Sequence, residues 1–304
     1  MRQGYLSHLP PIIKLIFVLT TVVLLGMLSA VFMTLIAEPL FGVDMSSYTD
    51  MKSNIAFMQC YQILQSISLF IIPSLLAFFL FYPSFTFGVR GEKNLSALIT
   101  VIAVFLVFVS QSFISYSGWL NHQIQLPESL AEVINWMTQK EQEATELTTL
   151  LIRNNSWTQI LITVLMMSIL PAIGEEWLFR GLIQRELDNW LKNKHIAIIL
   201  TAIIFSAVHM QFLTFLPRFF LGIILGYLFV FSGNLWVAVI GHFTNNFMAI
   251  VAYWYMSAKE GESPLDIPLE NPFGVLTILS FVAIFWCLIL IKRIRTHSEH
   301  TDSI

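Results

Sequence analysis

The sequence predicts an all-α fold: a polytopic bundle of about eight transmembrane helices, one integral membrane domain over residues 1–304, with both termini in the cytoplasm. Three observations lead there. Hydrophobic residues make up 56% of the chain and charged residues 12%, about half the roughly 25% of a soluble domain. Apolar runs recur at the ~20-residue length that a helix needs to cross a bilayer. The basic residues sort to alternate ends of those runs. A net charge of −3 with no dense basic cluster gives no reason to expect a nucleic-acid partner.

The expected spans are Ile12–Ala37, Ile55–Phe81, Ser96–Gly118, Thr158–Arg180, Ile196–Met210, Pro217–Phe231, Leu235–Tyr255 and Phe273–Ile291. The first apolar run, Pro11 to Ala37, exceeds a 7–15-residue signal-peptide core and reads as a retained helix. Cys60 in the second span and Cys287 in the last each sit in an apolar run; the two thiols are far apart and suggest no disulfide or CxxC chemistry. The loop Asn121–Ser156 contains Pro127–Arg153, where Leu130, Val133, Ile134, Trp136 and Met137 mix with Glu132, Lys140, Glu141, Glu143 and Glu146. That pattern predicts an amphipathic surface helix, a connector first and a cap second. The fifth and sixth spans are short, and Gln211–Pro217 between them reads as irregular, which a membrane allows only where protein or a cavity covers the backbone. The polar stretch Gln184–Lys194 reads as a turn projecting into the cytoplasm, and His297–Ile304 as a disordered tail.

Orientation follows from charge. With the N-terminus inside, Arg2, Lys14, Arg90, Lys93, Arg180, Arg185, Lys192, Lys194, Lys292, Arg293 and Arg295 fall on the inner side. Lys52, Lys140, Arg153, Arg218 and Lys259 fall outside. The positive-inside rule favours this arrangement. Arg218 then reads as an interfacial anchor.

Ionisable groups in apolar spans are costly and usually functional, and this chain concentrates them. The fourth span carries Glu175-Glu176-Trp177-Leu178-Phe179-Arg180-Gly181, the fifth Phe205-Ser206-Ala207-Val208-His209, and the seventh His242-Phe243-Thr244-Asn245-Asn246. Glu176 and Arg180 are four apart, so they share a helix face and can form a structural ion pair. Glu175 is turned by about 100° and has no local partner. His242 and Asn246 are also four apart and can address one ligand, while Asn245 faces elsewhere. Counting ~1.5 Å per residue from the turn near Asn193 puts Glu175 and His209 at nearly one height, roughly 25 Å from it. His242 lies at a comparable depth beyond the turn at Gly233. Three helices can therefore bring their polar residues to one buried site, with Phe205 as its wall and Trp177 and Phe179 as flanking packing residues.

Such a site suits hydrolysis by water. Glu175 reads as general base, His209 as a group that holds and polarises the water, and His242 with Asn246 as donors to an oxyanion. No GxSxG or other activated Ser or Cys is present. Zinc held by Glu175, His209 and His242 is the alternative, since two His and a Glu form a known catalytic set. The absence of an HExxH helix makes the metal-free reading preferred, with no cofactor required. Gly222 and Gly226 have GxxxG spacing and predict close helix packing within the chain rather than dimerisation.

These residues resemble a known family. EEWLFRG fits the EExxxR motif of the CAAX protease and bacteriocin-processing (CPBP, Abi, type II CAAX prenyl endopeptidase-like) intramembrane proteases; FSAVH fits FxxxH and HFTNN fits HxxxN. The resemblance covers about residues 156–256, the expected catalytic core. It implies an intramembrane endopeptidase in which Glu175 activates water, His209 assists, and His242 and Asn246 stabilise the oxyanion. It also implies a peptide or membrane-protein substrate within a lipid bilayer, and processing or bacteriocin immunity as a role. The prenyl-protein substrate of the eukaryotic enzyme is not carried over. A bacterial plasma membrane is the expected location. Two further classes share some of these features: a non-catalytic immunity or scaffold protein of the same fold, and a proton-coupled transporter.

Overall fold

The computed structural model describes residues 4–82, 95–152, 156–260 and 271–301. They form helices, with no strand among the described residues. In chain order these are α1 (Pro11–Phe41), α2 (Tyr48–Ser53), α3 (Ile55–Phe81), α4 (Ala97–His122), α5 (Ala131–Ile152), α6 (Trp157–Leu191), α7 (Lys194–Ala207), α8 (Phe215–Ser232), α9 (Leu235–Glu260) and α10 (Val275–Thr301). Seven of them hold stretches long and apolar enough to cross a membrane. The protein is an integral, multi-pass membrane protein.

Local chemistry sets the ends. α1 starts on Pro11 at its first turn, where a missing N–H costs nothing, and stops at Gly42 in the left-handed region with φ 64°. Asn54, Ser96, Ser156 and Asn193 cap α3, α4, α6 and α7 through side-chain oxygens. α8 ends at Gly233, φ 65°. Exposed Leu19, Val23, Leu24 and Leu28 on α1, and Phe281, Val282, Phe285 and Trp286 on α10, present apolar faces that only lipid suits.

α7 is the short exception. Its 14 residues span about 21 Å at ~1.5 Å per residue, less than the ~30 Å hydrocarbon core. About eight spans were expected; the structure has seven full-length spans and this shorter apolar helix. The turn between α7 and α8 comprises Val208–Gln211 and a 3-10 turn, Phe212–Thr214. It is irregular as expected, but α8 already starts at Phe215 and takes in Pro217.

Contacts between helix ends give the topology. At one end Leu6 N–H donates to Leu80 O (2.8 Å), Lys14 approaches Glu186 (3.9 Å), and Tyr82 OH donates to Glu186 (2.5 Å). There too Gln184 Nε2 donates to Gly226 O (3.3 Å) and Arg295 to Val230 O (3.1 Å). At the other end Asn54 Nδ2 donates to Phe41 O, Asn121 Nδ2 to Phe212 O, and Trp254 Nε1 to Ile152 O. The described N-terminal and C-terminal segments thus share one end of the bundle.

Two expectations need correction. Gln184–Leu191 is not a solvated turn: it continues α6, with Gln184 2% and Glu186 1% exposed. Tyr82 and Lys14 both address Glu186 Oε1, which offsets part of the cost of burying this polar segment. The disordered tail expected from His297 is helical as far as Thr301, because α10 continues past its apolar run. Arg90, Lys93 and Arg153 lie outside the described residues. The two cysteines are free thiols, as expected.

Candidate active site

α6 is shaped to deliver its carboxylates. Pro171 lacks a backbone donor, and the preceding turn, Leu165–Ile169, opens into a π-helix. α3 does the same before Pro73, at Ile67–Ile71. The widened turn of α3 packs against Leu170–Glu176 of α6, and Gly174 lets the helices touch: a Cβ there would sit 2.8 Å from Phe70 Cβ. Glu175 follows immediately. A second π stretch, Trp177–Gln184, follows the glutamates.

Glu176 and Arg180 pair through Oε1 and NH1 at 2.5 Å, both fully buried. Arg180 also donates through NH2 to Gly222 O (3.1 Å) and stacks 4.7 Å from the Phe205 ring centroid. Gly222 makes this possible by letting α8 approach α7: a Cβ on it would lie 3.0 Å from Ala202 Cβ. A Cβ on Gly226 would meet Ile198 and Gln184 at 2.9 Å. The glycine pair packs helices within the chain, as its spacing predicts.

Glu176 Oε1 also accepts from His242 Nδ1, at 2.8 Å. His209 Nδ1 lies 2.7 Å from Phe205 O. A carbonyl and a carboxylate only accept, so both imidazoles carry their proton on Nδ1. Each then turns Nε2 toward Glu175 Oε2, at 3.9 Å in both cases. That oxygen is buried and accepts no hydrogen bond. Phe205, 2% exposed, packs edge-on to both His209 (centroids 5.1 Å) and His242 (5.8 Å), and to Phe179 (5.1 Å).

The structure therefore brings together Glu175, Glu176, Arg180, Phe205, His209 and His242. Asn246 lies one turn beyond His242, where its Oδ1 accepts from Asn245 Nδ2 at 3.3 Å. Asn245 does face elsewhere, with its Oδ1 toward Gln111 at 3.4 Å. Sequence spacing treated His242 as a free donor beside a separate ion pair; the fold joins His242 to that pair. Helical periodicity within one segment carries no information on a contact between α6 and α9.

His209 stands on the α7–α8 turn, where Met210 takes the left-handed φ of 56°. Arg218 is engaged within the protein. It binds this turn through Gln211 O (3.3 Å), Gln211 Oε1, Thr214 O (3.4 Å) and Thr214 Oγ1 (2.6 Å). From α5, Glu141 accepts from Leu213 N–H (3.2 Å), Thr214 Oγ1 (2.9 Å) and Gln211 Nε2 (3.4 Å). Sequence reasoning missed Glu141, one of several acidic residues on a polar helix face with nothing to distinguish it.

For a metal, the test is spacing. Ligands about 2.0–2.1 Å from a tetrahedral zinc lie roughly 3.4 Å apart. The imidazole nitrogens stand wider than that from the carboxylate, at 3.9 Å. Among the described residues no group of three or more His, Cys, Asp or Glu is arranged to hold a metal ion.

Comparison with known proteins gives one family. Residues 157–248 match the model of the Rce1-like family, described as type II CAAX prenyl endopeptidase Rce1-like. The matched segment holds all three motifs, and it supports their resemblance to the CAAX proteases. No curated protein and no solved structure matches the chain.

Proposed function

We propose that this chain is an intramembrane endopeptidase that hydrolyses a peptide bond with a water activated by Glu175. The observation that carries the reading is the Glu175 carboxylate oxygen, buried without a hydrogen bond and faced by two imidazole Nε2 atoms at 3.9 Å. Gaps of that size suit a shared water rather than a direct bond. The family match over residues 157–248 supports a peptidase independently.

In the reaction, Glu175 takes a proton from the water as the oxygen attacks the scissile carbonyl carbon, then passes it to the leaving amine. His209, fixed by Phe205 O, holds the water through Nε2. Asn246 contributes an N–H to the oxyanion. His242 contributes one only when Nε2 carries a proton, with Nδ1 held by the Glu176 carboxylate. Glu176 and Arg180 hold His242 rather than touch substrate. No metal is needed for these steps, and none is part of the proposal. The substrate class is a peptide segment in or at a lipid bilayer, in membrane-protein processing or bacteriocin immunity, with a bacterial plasma membrane as location.

The test compares membrane-proteome termini in cells carrying the wild type and Glu175→Gln. Neo-termini present only with the wild type are expected. Identical termini, with both proteins present at equal level, remove Glu175 as base. Metal content of the purified protein decides the zinc alternative: stoichiometric zinc, lost together with activity in His209→Ala, overturns the metal-free mechanism.

A further inference from the structure

α7 stops short of the far end of the bundle, while α9 has 26 residues and runs on beyond it. This leaves a recess above the α7–α8 turn, and α5 lies over it. A cavity of about 460 Å³ occupies the recess, within the ~300–1,000 Å³ range of ligand sites. His209 and Met210 line one part of it. The α1–α2 connection, α3 and α5 line the rest, through residues that include Met58, Gln62, Gln65 and Ala144. All these elements belong to the end of the bundle opposite the chain termini, the end marked by the Asn54–Phe41 and Asn121–Phe212 hydrogen bonds.

The lining has a chemistry. Met45, Met51, Met58 and Met210 form an apolar, adaptable surface that suits varied side chains. Gln62 and Gln65, one turn apart on α3, can each donate to and accept from an extended peptide backbone. At the rim Lys140 donates to Glu143 at 2.8 Å, which holds the Glu143 carboxyl below its usual range. A free anion finds no open cation in that pair.

We propose that this cavity is the route by which substrate reaches Glu175, and that it takes an unwound apolar peptide segment from the membrane side opposite the chain termini. The inference rests on the endopeptidase reading and adds direction and substrate form to it. His209 is the link between the cavity and the catalytic group: it lines the former, and its Nε2 stands 3.9 Å from Glu175 Oε2. A segment must be unwound to present its carbonyl there, because helical carbonyls are already bonded.

Gln62→Cys and Ala144→Cys, each in a Cys60→Ser, Cys287→Ser background, provide the test. The full-length proteins are placed in sealed vesicles whose sidedness is fixed by protease access to a C-terminal tag. An impermeant sulfonated thiol reagent is added to either side. Cleavage is read by mass spectrometry on transmembrane Leu/Ala peptides with a randomised central stretch. The expected result is labelling of both positions from the side opposite the tag alone, with at least tenfold slower cleavage once labelled. The cysteine-free parent should not respond. Labelling only from the tag side, or from neither side, overturns the proposal, as does full labelling with unchanged cleavage. If label enters from the far side but the unmodified protein cleaves none of the peptides, the endopeptidase reading falls and the peptide falls with it. Cleavage untouched by label removes the route alone.

Discussion

Glu175 and Glu176 are neighbours in the chain, yet the fold gives them different work. Glu176 is fully buried between Arg180 and His242. Each glutamate keeps one oxygen without a hydrogen bond, but only that of Glu175 is faced by two imidazole Nε2 atoms. Their substitutions should therefore fail differently. Glu175→Gln keeps shape and removes the base, so cleavage should drop by about 10²–10⁴-fold, with thermal unfolding in detergent little changed. Glu176→Gln leaves the Arg180 guanidinium without its counter-charge, a loss of about 3–5 kcal/mol for a broken buried pair. It should lower the unfolding temperature as well as activity. Equal unfolding temperatures for the two variants would contradict this division. Spacing alone revealed the Glu176–Arg180 pair, because both members lie on one helix.

At the scale of elements, the α7–α8 hairpin carries the site's precision. Gly222 supplies both a carbonyl for Arg180 and the space for Ala202. Gly222→Val should push α8 away, costing about 1–3 kcal/mol as overpacking does, and lower kcat by moving the acceptor of Arg180. Glu141 fixes the other end of the hairpin from α5. Acting through the His209 turn, it is a positioning residue. Glu141→Ala should reduce kcat more than it changes KM. Glu141→Gln should restore part of the loss, since its one amide oxygen can still accept from Leu213 N–H or Thr214 Oγ1, which bond separate oxygens of the carboxylate. A uniform rise in KM without a kcat change would instead make Glu141 a wall of the cavity. The amphipathic pattern of α5 was legible in the sequence; its tie to the α7–α8 turn was not, because a surface helix has many equivalent polar registers.

At the scale of the molecule, the short α7 restores an even number of passes, so the described terminal segments meet at one end. Tags at the two termini should show the same protease sensitivity in sealed vesicles, and both should be on the cytoplasmic side by the excess of Lys and Arg there. Opposite sensitivities would mean that α7 does not complete a pass.

The sequence by itself determined the class of fold, the approximate spans and the three segments that carry polar side chains, because hydrophobic length and helical periodicity are local properties. Tertiary structure decided what those side chains bind. It linked His242 to Glu176, set His209 on Phe205 O, bound Arg218 to the α7–α8 turn, and brought Glu141 over that turn. It also buried Gln184 and Glu186, whose polarity alone suggested a solvated turn. Each of these depends on contacts between helices distant in sequence. Such contacts follow from π turns before Pro73 and Pro171 and from glycines at close crossings, features whose effect exists only once a second helix is in place.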